Sequence, residues 1–213
     1  MESCEILCVD PKSPDQNAID KAAALIKKGG FVVFPTSSFY GLGTDACNAE
    51  AVDRVFRAKK RDPQKPILIL VASLADVASL VRSIPKTATR LMEAFWPGSL
   101  TLVFGAADLL PSNLTGYTGQ IGIRLAGHPV ASALARAVGG PITGTSANLS
   151  GKGSCTAVAH LDLPIRDQVD LVLDAGGLAG GKGSTVVDVT SDPPKILRQG
   201  AIDAEEIWTA LKG

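Results

Sequence analysis

Two segments constrain this chain most, because they make sense only together. Residues 29–46 read Gly-Gly-Phe-Val-Val-Phe-Pro-Thr-Ser-Ser-Phe-Tyr-Gly-Leu-Gly-Thr-Asp-Ala. Residues 59–66 read Lys-Lys-Arg-Asp-Pro-Gln-Lys-Pro and lead into the apolar run Ile-Leu-Ile-Leu-Val. The first pattern is a buried strand that ends in a hydroxyl-rich turn. A short helix follows, then a basic loop bounded by prolines, then a second buried strand. Hydroxyls and glycine amides beside fixed cations suit a polyanion such as a nucleoside triphosphate.

The chain has 213 residues, enough for one sizeable domain or two small ones. Hydrophobic residues are 46% and charged residues 20%, an ordinary globular balance. No apolar run approaches a membrane span, and Met1-Glu2-Ser3-Cys4-Glu5 lacks the basic start of a secretory signal. Cys4, Cys8, Cys47 and Cys155 form no Cys-x-x-Cys pair, so reduced thiols in a cytoplasmic protein are expected. With only His128 and His160 available, no His/Cys metal site is expected.

Formal net charge is zero, which argues against an obligate nucleic-acid binder. The charge is uneven, however. Between residues 53 and 66, Arg54, Arg57, Lys59, Lys60, Arg61 and Lys65 face only Asp53 and Asp62. A local basic patch holds phosphate even in a neutral protein. Arg54 and Arg57 read as a solvated helix face. Lys59, Arg61 and Lys65 read as loop residues between helix and strand, and are assigned to function.

Helices are expected over 15–28, from Asn48 through Ala58, over 74–81 behind Ser73, from Pro85 to Phe95, over 129–138, and from Asp203 to Leu211. Strands are expected over 31–34, 67–71, 100–104, 121–125, 171–173, 185–189 and 195–198. No linker or repeat divides the chain. It reads as a single α/β (α+β) domain with one mixed sheet.

Two nucleotide-binding signals fail on context. Gly41-x-Gly43-x-x-Ala46 comes too late after its strand, and no acidic residue ends the next strand. Gly176-x-x-x-x-Gly181-Lys182 is followed by Gly183 rather than Ser or Thr, and then by a strand pattern rather than a helix. The glycine-rich turn and Ser184 remain candidates for lining a site. His128, between Gly127 and Pro129 at a helix start, reads as a cap, and His160 receives no role.

Four further segments place cations and hydroxyls at strand ends, where α/β folds put ligands. They are the run Ile121-Gly122-Ile123-Arg124, the exit Pro141-Ile142-Thr143-Gly144-Thr145-Ser146-Ala147-Asn148, the turn Gly183-Ser184-Thr185, and Ile196-Leu197-Arg198-Gln199-Gly200. No Ser-His-Asp set or carboxylate pair accompanies them. Reactions run by positioning and charge stabilisation, such as phosphoryl and nucleotidyl transfer, fit that absence.

These segments, with Trp96-Pro97-Gly98-x-Leu100-Thr101, occur in the order found in the YrdC-like family of L-threonylcarbamoyladenylate synthases. The chain resembles that family from about Asp10 to its end, in its short, single-domain form. The resemblance implies a YrdC-like domain over 10–203, with 204–213 its terminal helix. It also implies a twisted mixed open sheet with flanking helices and a concave active-site face. The implied activity is a nucleotidyl transfer: ATP, L-threonine and bicarbonate or CO2 give threonylcarbamoyl-AMP and pyrophosphate. That is the first step of tRNA N6-threonylcarbamoyladenosine formation. Magnesium is implied with ATP, its ligands unknown, and a separate tRNA threonylcarbamoyltransferase is the implied downstream partner.

Carried over residue by residue, the family's pattern implies that Lys59 and Arg61 are catalytic. Ser38, Arg124, Thr143 and Ser184 would bind threonine. Lys59, Arg61, Lys65, Thr115, Thr145, Ser146, Asn148 and Arg198 would bind ATP. Two residues depart from the pattern: Ser37 stands where an acid is usual, and Ser38 keeps the hydroxyl of the usual Thr without its methyl group. Two alternatives stay open, an RNA-binding YrdC-like module that contacts tRNA and a divergent paralogue without synthase activity.

Overall fold

Polar caps set most helix starts. The computed structural model describes residues 4–212. Of the residues read for a signal sequence, Met1, Glu2 and Ser3 lie outside that range. Asp15 accepts from Ala18 N to cap α1 (Gln16–Lys27), whose buried stripe is Ala18, Ile19, Ala22, Ala23 and Ile26. Asn48 caps α2 (Ala49–Lys59) in the same way. Ser73 and Asp76 form a reciprocal capping box on α3 (Leu74–Leu80). Pro85 precedes α4 (Lys86–Phe95), and His128 Nδ1 accepts from Val130 N at the head of α5 (Pro129–Val138). A 3-10 turn (Val158–His160), the short α6 (Leu163–Arg166) and α7 (Ala204–Lys212) complete the helices. No helix among the described residues is long and apolar enough to cross a membrane.

The strands are β1 (Glu5–Cys8), β2 (Val32–Pro35), β3 (Tyr40–Gly43), β4 (Ile69–Val71), β5 (Leu100–Gly105), β6 (Gln120–Leu125), β7 (Ile142–Thr143), β8 (Thr145–Ser146), β9 (Leu171–Asp174), β10 (Thr185–Asp188) and β11 (Lys195–Arg198). They form two mixed sheets rather than the one expected. The five-stranded sheet has the order β1-β9-β2-β3-β8, and the six-stranded sheet has the order β11-β10-β5-β6-β4-β7. The division falls at Gly144. Thr143 pairs with Ile69 of β4, and Thr145 pairs with Leu42 of β3, so one residue carries the chain from one sheet to the other. A Cβ at Gly144 would lie 2.7 Å from Leu68 Cδ1 and 2.8 Å from Leu70 Cγ, so any larger residue at the switch would have to displace these two leucines.

β4 is shorter than the expected 67–71. Ile67 N donates to Leu114 O and Leu68 O accepts from Gly144 N, so these two residues leave the ladder for loop partners. One apolar cluster unites both sheets, with Val33, Tyr40 and Leu42 of one beside Leu102, Ile123 and Val187 of the other. A second cluster packs α1 and α5 on the five-stranded sheet through Ile19, Ile26, Phe34, Leu134 and Leu171.

Strand alternation in the six-stranded sheet positions the site. Leu100, Leu102, Phe104, Ile121, Ile123 and Val187 enter the core. Their neighbours Thr101, Val103, Gly122, Arg124, Ser184 and Val186 face a cavity on the opposite side.

Candidate active site

The cavity has a volume of about 580 Å³ and draws its walls from both sheets. Among the described residues four cationic side chains line it, Arg61, Arg124, Lys182 and Arg198, and no acidic side chain does. Thr36, Thr101, Thr145, Ser146, Ser154 and Ser184 add hydroxyls.

Arg124 stands on β6 beside Leu70 of β4. Its Nε is buried without a hydrogen-bond partner. Burial, with the like charge of Arg198, lowers its pKa to about 10. Arginine keeps its proton there at neutral pH, so an unpaired guanidinium waits for an anion. Arg198, on β11, is tied down instead. Its Nε and Nη2 donate to Ser184 O at 3.2 and 2.9 Å, and Nη2 reaches Ser184 Oγ at 3.2 Å. The Ser184 hydroxyl lies 2.8 Å from Thr101 Oγ1, which joins three strands through polar side chains. Arg61 curls back on the basic loop, donating from Nε to Lys65 O at 3.1 Å and from Nη2 to Pro66 O at 2.7 Å. Burial lowers its pKa.

Of the residues singled out in the sequence, Arg61, Arg124, Thr145, Ser146, Ser184 and Arg198 line the cavity. Ser38 sits at its rim, where its Oγ donates to Lys182 O at 3.4 Å and its carbonyl accepts from Gly180 N at 3.0 Å. The other five are elsewhere. Lys59 is the last residue of α2, not a loop residue, and is 1% exposed. Its ammonium donates to Ser146 O and, at 2.5 Å, to Asn148 O, so it braces the cavity wall from behind. Lys65 is exposed and outside the lining. Thr143 is fully buried in the seam between the sheets, accepting from Thr44 N and donating to Leu42 O. Thr115 is buried and donates to Ser112 O within its own turn. Asn148 turns its Nδ2 to Leu149 O and Lys152 O, closing its own loop.

Other lining residues carried no individual role in the sequence reading. Thr101 had a usable signal, since a polar residue alternating with Leu100 and Leu102 marks the second face of a strand. The glycine-rich turn, which fails as a P-loop but remained a candidate lining, does reach the cavity, through Lys182 and Gly183 just ahead of β10. Tyr40 is buried. Its hydroxyl lies 3.0 Å from Asp174 Oδ1 and 2.8 Å from Gly176 O, and accepts from Ala175 N. That anchors the root of the glycine-rich run.

Known proteins share this architecture. The Sua5/YciO/YrdC family model, described as "Telomere recombination", matches residues 24–200. The threonylcarbamoyl-AMP synthase of Pyrococcus abyssi is 38% identical over 87% of this chain and 55% of its own length. The threonylcarbamoyl-AMP synthase of Bacillus subtilis is 37% identical over 95% of this chain and 59% of its own length. The chain thus spans somewhat over half of these two relatives. A crystal structure of P. abyssi Sua5 complexed with L-threonine superposes with a TM-score of 0.92 at 36% identity, covering 96% of this chain and 60% of that one. The fold and an ordered match over most of the sequence agree, and the chain belongs to the Sua5/YciO/YrdC family.

Proposed function

We propose that this chain joins ATP, L-threonine and bicarbonate or CO2 into threonylcarbamoyl-AMP, releasing pyrophosphate. The observation that carries the proposal is Arg124, a half-buried guanidinium whose Nε has no partner among the described residues, in a cavity that those residues line with cations and hydroxyls and with no acid. The relatives named threonylcarbamoyl-AMP synthase and the threonine-bound Sua5 structure support the same reading.

In this reading Arg124 pairs with the threonine carboxylate, and Ser184 and the rim hydroxyl of Ser38 flank it. The threonine nitrogen, as the free amine, bonds the carbon of CO2 as one C=O π pair moves onto oxygen, and it releases its proton to solvent, leaving a carbamate. A carbamate oxygen attacks the α-phosphorus of ATP. The bond from that phosphorus to the oxygen bridging to the β-phosphate breaks, and pyrophosphate departs with the electron pair. The nucleophile is already an anion, so no strong general base is needed. Arg61 and Arg198 offset the charge of the triphosphate, while Thr145 and Ser146 donate hydrogen bonds to the nucleotide. Lys59 acts through Ser146 as a positioning residue. Among the described residues no three His, Cys, Asp or Glu side chains gather as a metal cluster. Magnesium would accompany ATP as part of the substrate and would offset charge on the departing pyrophosphate. The product is a mixed anhydride that passes, in the cytoplasm, to a tRNA threonylcarbamoyltransferase.

Pyrophosphate release by the purified protein, with each substrate omitted in turn, tests this. Release should require ATP, threonine and bicarbonate together. Arg124→Gln should raise the KM for threonine about a hundredfold, the value of a bidentate charged pair, while moving the KM for ATP much less. ATP binding with no release would overturn the synthase reading in favour of a divergent paralogue.

A further inference from the structure

The run 176–183, Gly-Gly-Leu-Ala-Gly-Gly-Lys-Gly, does something the proposed reaction does not yet use. It leaves β9 of the five-stranded sheet and enters β10 of the six-stranded sheet, and its last two residues, Lys182 and Gly183, line the cavity. Its path is pinned at intervals. The Tyr40 hydroxyl holds Gly176 O, Leu178 N donates to Thr156 O, Gly180 N donates to Ser38 O, and Ala201 N donates to Gly183 O. Gly176, Gly180 and Gly181 adopt φ of 79°, 70° and 93°, the left-handed region glycine favours. A Cβ at Gly176 or Gly181 would meet nothing within 4 Å, so glycine serves the backbone path there and not close packing.

The strap carries one charged side chain. Lys182 lines the cavity, is exposed to solvent, and forms no salt bridge or side-chain hydrogen bond among the described residues. Its main-chain carbonyl is held by Ser38 Oγ, which fixes the root of the side chain. A Cβ on its neighbour Gly183 would stand 3.7 Å from Arg198 Nη2, so the lysine springs from beside a second cation.

We propose that Lys182 is a phosphate-contacting residue, held over the mouth of the cavity by the glycine strap, and that it binds the terminal phosphates that leave as pyrophosphate. The assignment rests on the ATP-dependent reading above. Two features select phosphate over the threonine carboxylate. Arg124 is the planar, partly buried group suited to a carboxylate, whereas a lysine ammonium is a mobile point charge with three donors that suits phosphate oxygens. Lys182 is also, with Arg198, one of the two exposed cations of the set, and unlike Arg198 its side chain is tied to no neighbour among the described residues, so it stands free where a leaving group returns to solvent. It takes the charge role of a P-loop lysine without the helix that a P-loop requires.

Binding of inorganic pyrophosphate, measured by calorimetry on the full chain, tests this without turnover. Lys182→Gln should weaken binding about tenfold and Lys182→Arg should largely restore it. In turnover, Lys182→Gln should raise the KM for ATP and the Ki for pyrophosphate by a similar factor and leave the KM for threonine within about twofold. Equal pyrophosphate affinity in wild type and Lys182→Gln overturns the assignment. If the wild type binds pyrophosphate in a Lys182-dependent way but releases none from ATP, the synthase reading fails and the phosphate site stands.

Discussion

Lys59 is 1% exposed, and its ammonium meets two main-chain carbonyls rather than a carboxylate. Burial, and then the charge of Arg61, lowers its pKa from 10.5 to about 8, with Asp162 opposing. Between those two values the unfolded chain holds more protons than the folded one, so this group makes stability rise with pH over that window. The limit of the effect is roughly 3 kcal/mol for a shift of this size. Urea unfolding of the wild type and Lys59→Met at pH 7.5 and pH 10 should therefore diverge, the wild type gaining on the variant as pH rises. Parallel profiles would show that Lys59 is not buried as described. The same residue shows where sequence reading stops. Lys60 ends α2 in the left-handed region at φ 49° without a glycine to announce it, so Lys59 reads as loop although it closes the helix. Arg124, Ser184 and Arg198 were legible because each lies in or beside a strand of alternating character. Thr143 was not, because its hydroxyl serves contacts with Leu42 and Thr44, a hundred or so residues earlier in the chain.

The β10–β11 hairpin is the element on which the cationic wall depends. Val186 stands opposite Arg198, and the guanidinium reaches over to Ser184. Just past β11 the chain at Gly200 comes so close to β10 that a Cβ there would strike Gly183 O and the Ser184 carbonyl. Both are main chain and cannot swing aside. Gly200→Ala should cost roughly 3 kcal/mol or more and shift Arg198, whereas Gly177→Ala, with open space around its Cβ, should stay within about 0.5 kcal/mol. Thermal melts of the two variants check this, and equal melting temperatures would refute the close approach. Helices were legible at this scale because Asp15, Asn48, Ser73 and His128 supply side-chain caps. The strands β1 and β3 were not expected from the sequence, nor were β7 and β8. β7 and β8 have only two residues each, and their pairing is fixed by β4 and β3, far away in sequence.

At the scale of the whole molecule, two sheets share one core. That core could not be read locally, because the apolar runs look alike whether they join one sheet or two, and the deciding residue is the single Gly144. The shared cluster has a thermodynamic consequence. Leu42 of the five-stranded sheet and Ile123 of the six-stranded sheet are both 0% exposed within it, so neither sheet can unfold and keep its inner face dry. The chain should therefore unfold in one cooperative transition. Far-UV circular dichroism follows both sheets, and the indole of Trp96, which donates to Leu100 O at 2.8 Å, follows the six-stranded side. The two signals should coincide in urea. Leu42→Ala should lower stability by about 2–5 kcal/mol and keep them coincident, because a cavity opened under one sheet is felt by the other. A variant in which the Trp96 signal survives while half of the dichroism is lost would mean that the sheets are separable. The cavity between them would then depend on its ligands, rather than on the shared core, for its walls.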